Sequence, residues 1–126
     1  MNNIKSKKEF LYGNLSYTLN GILFLVHNEL GRFCREIQFA NLIELKLKEK
    51  NIRYQREVSI NGTNNVVDFI IEDAIVLELK AKPFLTKDDY YQIKRYLQAT
   101  NLELGILVNF RARYLSPKRI LNPNNL

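Results

Sequence analysis

Two short apolar runs, residues 66–71 and 75–79, flank Glu72, Asp73 and Ala74, and neither run has a clearly polar face. A strand that is apolar on both sides is normally buried on both sides. Such a hairpin restricts the chain to folds that cover a sheet with other elements. Into this apolar pair the sequence sets Asp68, Glu78 and Lys80. Strand side chains alternate faces, so Glu78 and Lys80 point the same way. A three-residue turn at Glu72, Asp73 and Ala74 pairs Ile71 with Ile75 and brings Asp68 opposite Glu78. Buried charge is costly unless it is paired or bound to metal. Two carboxylates suit a hard divalent cation such as Mg2+, and a lysine beside them can hold a phosphate or a water. The competing reading is a cross-strand ion pair on a solvated sheet face, energetically minor and common. The missing polar face weighs against it.

The chain of 126 residues is long enough for one domain with a proper core and too short for two. Its formal charge of +6 favours anionic partners, nucleic acid before an acidic membrane surface. The one cysteine, Cys34, excludes an intrachain disulfide and suits a reducing compartment. With His27 as the one histidine, a zinc site of the usual nitrogen and sulfur type is nearly excluded. Cys34 reads as a small packing residue and His27 as a satisfied core or capping histidine. The longest apolar stretch, residues 21–26, falls far short of the roughly 20 residues of a membrane span. The first ten residues are polar with no apolar h-region, so the expected compartment is the cytoplasm.

Along the chain, residues 1–12 form a basic arm, followed by a helix over residues 16–30 with Gly31 as its cap. A second helix is expected over about residues 33–50, with Phe33, Ile37, Ala40, Ile43 and Leu47 as its apolar stripe and Glu36 on the border. Residues 53–60 read as a strand, and Asn61-Gly62 as a turn. After the hairpin, Thr86 with Asp89 marks a capping box. That helix buries Tyr90, Ile93 and Leu97, with Gln92 and Tyr96 on the adjacent face. Residues 104–110 are the last strand, parallel to the strand of Glu78. Residues 111–126 form a basic tail. The expected fold is therefore α/β: a mixed four-stranded sheet flanked by helices.

This αβββαβ order, with Asp68 in the second strand, Glu78-Leu79-Lys80 in the third and Gln92 on the next helix, resembles the restriction-endonuclease-like PD-(D/E)XK nuclease superfamily. More closely it resembles the small GxxExxY proteins, through His27-Asn28-Glu29-Leu30-Gly31, Glu36, Glu78-Leu79-Lys80-Ala81 and the strand ending at Phe110. The likeness covers about residues 15–110. The family's tyrosine is Phe39 here, and Val67 stands where a proline often precedes the aspartate.

The resemblance implies a metal-dependent nuclease. Asp68, Glu78 and the main-chain carbonyl of Leu79 would hold Mg2+ or Mn2+, with Glu36 a further ligand, direct or through water. Lys80 would orient the water or stabilise the developing charge, and Gln92 would brace the site. Plain surface exposure competes for Glu36 and Gln92. Lys87, Lys94, Arg95 and the basic tail could follow a nucleic-acid backbone, DNA rather than RNA, and a homodimer could cut two strands. The alternative is a non-catalytic nucleic-acid- or protein-binding module that keeps the nuclease fold.

Overall fold

The computed structural model describes residues 10–61 and 63–125. Most of the expected basic arm, residues 1–9, lies outside them, as does Gly62 of the expected turn. Wide π-helical turns over Phe10–Leu15 lead into helix α1 (Ser16–Leu30). Helix α2 (Glu36–Glu49), strands β1 (Tyr54–Ser59), β2 (Val66–Ile71) and β3 (Ile75–Lys80), helix α3 (Lys87–Thr100) and strands β4 (Leu104–Asn109) and β5 (Lys118–Leu121) follow.

The strands form one sheet in the order β1-β2-β3-β4-β5. β3 and β4 are parallel and every other pair is antiparallel. The sheet thus has five strands, not the expected four. The fifth lies in the stretch read as a basic tail, where Ile120 is its one buried residue and Lys118 and Arg119 hide the pattern.

Helices cover both faces, as the apolar hairpin requires. α1 and α2 pack Leu19, Ile22, Val26, Phe39, Ile43 and Leu47 against Phe69, Ile71, Leu77, Leu79 and Val108. α3 packs Ile93, Tyr96 and Leu97 against Val67, Ile70, Val76 and Leu107. Each such side chain, fully buried, contributes about 1.5–3 kcal/mol. Gly105 of β4 lets α3 sit close, because a Cβ there would lie 2.8 Å from Ile93 Cδ1.

α1 has the expected bounds, and Gly31, at φ 76°, closes it by donating its N–H to His27 O. α2 starts three residues later than expected. Arg35 is its N-cap, with Gln38 Oε1 accepting from the Arg35 N–H. Phe33 therefore hangs in the preceding loop, three-quarters exposed, and Ile37 is also exposed. The true stripe includes Phe39, which stacks on Phe110 with 4.3 Å between ring centroids. α3 opens with the expected capping box, but Tyr90 is half-buried while Tyr96 is in the core.

Candidate active site

The hairpin turn is the one the sequence implies. Ile71 pairs with Ile75, Ile70 with Val76 and Phe69 with Leu77. Glu72 and Asp73 both take left-handed φ, and the Ala74 N–H closes on Ile71 O. Beyond Phe69 the ladder parts. There the Asp68 N–H donates to Glu78 Oε1 at 2.9 Å, and the Leu79 N–H donates to Asp68 Oδ2 at 2.7 Å. The two carboxylates fill the places where backbone carbonyls would accept.

A second break lies one strand away. In β1, Arg56 pairs with Phe69 and Val58 with Val67, but Glu57 has φ 55° and drops out of the ladder opposite Asp68. Face alternation slips at both positions. Phe69 packs in the α1/α2 core, yet Val67, two residues away, packs in the α3 core. Arg56 bonds Asn41 and Glu44 on α2, whereas Val58 packs beside the α3 core. The two strands thus switch faces at Glu57 and Asp68, and the Asp68 carboxylate reaches β3 at the Leu79 N–H.

β3 itself alternates regularly. Ile75, Leu77 and Leu79 face α1 and α2, and Val76 faces α3. Glu78 and Lys80 therefore share the α3 side, where Lys80 Nζ donates to Gln92 Oε1 at 3.0 Å. Lys80 Nζ also lies 3.8 Å from Asp89 Oδ1, while Lys82 Nζ sits 2.9 Å from Asp89 Oδ2. Asp89 carries more than its sequence role. The same carboxylate caps α3 through the Thr86 N–H and anchors both lysines. The capping box was legible, but the lysine pairing was not, since nothing in the sequence places Lys82 over the helix start.

Asp68 and Glu78 are poor hosts for charge as they stand. Glu78 is 4% exposed, and burial, then the neighbouring Asp68, push its carboxyl up to about 8. Burial also raises Asp68, more than the Leu79 N–H and Lys80 lower it. Among the described residues, the ion pairs of Lys80 and Lys82 both go to Asp89, leaving the two carboxylates without a close pairing cation. A divalent cation would supply what is missing, and the all-oxygen donors fit Mg2+ or Mn2+. Among the described residues no group of three or more His, Cys, Asp or Glu side chains is arranged to hold a metal ion. The two carboxylates that meet here are those of Asp68 and Glu78, and Glu36 lines the same cavity as Asp68.

Glu36, in the first turn of α2, lines a cavity of about 180 Å3 with Ile37, Ala40, Arg56, Glu57, Asp68 and Leu79. Its side chain is exposed in part, but loss of solvent at the carboxyl, then the Asp68 charge, raise its pKa. Glu57 and Arg56 were not singled out from the sequence. A glutamate gives no signal for left-handed backbone, and Arg56 looks like any strand cation. His27 takes the structural role expected of it, with Nε2 donating to Ala112 O at 2.9 Å. Cys34 is half-buried against the α1/α2 core.

A family model of the PD-(D/E)XK nuclease superfamily matches residues 13–120. The chain belongs to that superfamily. The match runs past Phe110, where the sequence likeness ended, and takes in most of β5. No curated protein and no solved structure matches the chain. Membership of the PD-(D/E)XK superfamily points to nuclease chemistry on nucleic acid, for which its nucleases generally use divalent metals. Among the described residues no helix is long and apolar enough to cross a membrane.

Proposed function

We propose that this PD-(D/E)XK protein is a nuclease that hydrolyses phosphodiester bonds with Mg2+ or Mn2+ held by Asp68, Glu78 and the Leu79 carbonyl. The observation that carries the reading is the meeting of the buried Glu78 carboxylate with the half-buried Asp68 carboxylate where β2 and β3 part, with Lys80 on the same face as Glu78. A bound cation would polarise the scissile phosphate and lower the pKa of an attacking water.

The chain's own groups do the rest. Lys80 presents positive charge to the phosphate as negative charge grows on it. Gln92 Oε1 and Asp89 fix the Lys80 Nζ, so little reorganisation is needed. Glu36 acts across the cavity, through water, as a further carboxylate beside Asp68. The finer reading is a GxxExxY-type protein forming a single domain, acting in the cytoplasm on DNA, as a homodimer where two strands are cut.

Titration calorimetry with Mg2+ tests the site. Asp68→Asn should weaken binding about 10-fold or more, because one of the carboxylate ligands is lost. Equal affinity in wild type and variant would overturn the assignment. A wild type that binds nucleic acid with steep salt dependence, yet cleaves no DNA or RNA in single- or double-stranded form, would leave the non-catalytic module as the function.

A further inference from the structure

We propose that the surface beside the site is a stacking platform for an unpaired nucleic-acid strand, so that substrate reaches the site as a single strand or frayed end. Its location rests on the nuclease reading, but its test does not.

Three loops meet at the ends of β3 and β4: residues 31–35 before α2, 81–86 after β3 and 110–117 after β4. Each holds up an aromatic ring. Phe33 is 75% exposed, Phe84 76% and Tyr114 79%. A single open ring needs no explanation, but three on loops tied to one another, with guanidinium groups among them, make a candidate binding surface. Guanidinium groups accompany two of them. Arg32 lies 4.8 Å and Arg111 5.7 Å from the Phe33 ring centre, and Arg113 lies 5.4 Å from that of Tyr114. An exposed ring beside a guanidinium matches a nucleotide, with a flat base to stack and a phosphate to neutralise. An apolar second copy of the chain would leave those charges buried and unpaired.

The loops are tied down. Arg32 Nε donates to Arg111 O at 2.8 Å, and His27 holds Ala112 O. Asn109 bonds the Lys82 N–H, the Lys82 carbonyl and the Arg111 N–H, joining the two later loops. A fixed platform loses little entropy when a base settles on it.

The platform adjoins the site on two sides. Phe33 precedes Glu36 by about one helical turn, and Arg111 follows Asn109, which pairs with Lys80 in the sheet. Bases inside a duplex are already stacked and cannot use such rings, whereas unpaired bases can.

The chain has no tryptophan, so Phe33→Trp introduces a single fluorophore at the platform. In chelator, which keeps any metal-dependent cleavage silent, a short single-stranded oligonucleotide should quench that fluorescence and a blunt duplex should not. Phe33→Ala should weaken single-strand binding about 10-fold, the loss expected for one stacked base, with its salt slope unchanged. Arg113→Gln should reduce that slope by about 0.7, the value for one phosphate contact on a single strand. Equal quenching by duplex, no quenching by either, or unchanged affinity in Phe33→Ala would each overturn the proposal. A protein that stacks the strand in chelator but cuts nothing in Mg2+ would uphold the platform and refute the nuclease reading. One that cuts without dependence on Phe33 would do the reverse.

Discussion

At the scale of the residue, the proposed site would separate binding from chemistry. Glu78 is a buried carboxylate with no ion pair among the described residues, and Lys80, two residues on, is a cation already positioned by Gln92 and Asp89. An ammonium cannot ligate a metal ion, but it can meet charge that develops on a phosphate. Lys80→Ala should therefore leave Mg2+ affinity within a few-fold of wild type while lowering cleavage by roughly 10²-fold, typical of losing a charge-stabilising group. Glu78→Ala should abolish both. Calorimetry and a cleavage assay on the same preparations would check this, and cleavage that survives both substitutions would place the activity elsewhere. That Asp68 comes near Glu78 was legible because the turn at Glu72–Ala74 sets the register up to Phe69 and Leu77, although the two meet through a side chain and not a ladder rung. The partnership of Asp89 with Lys80 and Lys82 was not, since it depends on where a helix start lands over a sheet.

At the scale of the element, the decisive feature is the slip shared by β1 and β2. An alternating strand would send Asp68 squarely to one face. Instead Glu57, at φ 55°, removes the rung between Arg56–Phe69 and Val58–Val67 and lets Asp68 turn toward Leu79. A left-handed non-glycine residue costs about 1–2 kcal/mol, so Glu57→Gly should hold stability within about 1 kcal/mol of wild type and keep Mg2+ binding. Glu57→Val, whose branched side chain resists positive φ, should cost about 1–3 kcal/mol and weaken Mg2+ binding by straightening β1. Urea unfolding and calorimetry would show this. A valine variant of wild-type metal affinity would mean that the slip does not set the site.

Other elements show why the sequence was readable in some places and not in others. α1 declares itself through Leu19, Ile22, Leu23 and Val26, then a glycine at positive φ, so period and stop signal agree. In α2 the aromatic pattern misleads. Phe33 fits the helical spacing but lies outside the helix, and Phe39, off the expected stripe, fills the core against Phe110. β5 has one buried residue in four, too little periodicity to tell a strand from a basic tail.

At the scale of the whole molecule, the acidic pair ties stability to protons and, on the proposed reading, to metal. With Asp68 and Glu78 raised above their ordinary values, the folded protein holds more protons than the unfolded chain between about pH 4.5 and about pH 8. Stability then falls as pH rises through that window, because the slope follows the excess of protons bound in the unfolded state, here negative. Glu44 and Asp89 act oppositely. The Tyr54 hydroxyl chiefly lowers Glu44, and hydrogen bonds from Lys82 and Thr86 lower Asp89 in spite of its burial. Their contributions are present above the ordinary carboxylate range and are lost as pH falls below it. In chelator the melting temperature should therefore peak near the bottom of the window and decline toward pH 8. A cation that binds only the folded, deprotonated pair adds about 2.7 kcal/mol at one hundred times its Kd, and protons compete with it. The gap between Mg2+ and chelator melting curves should thus be small near pH 5 and widest near pH 8. Asp68→Asn should flatten the chelator decline and close the gap, which calorimetric scans at several pH values would measure. Parallel pH profiles with and without Mg2+ would show that the acidic pair, however destabilised, is not where the metal goes.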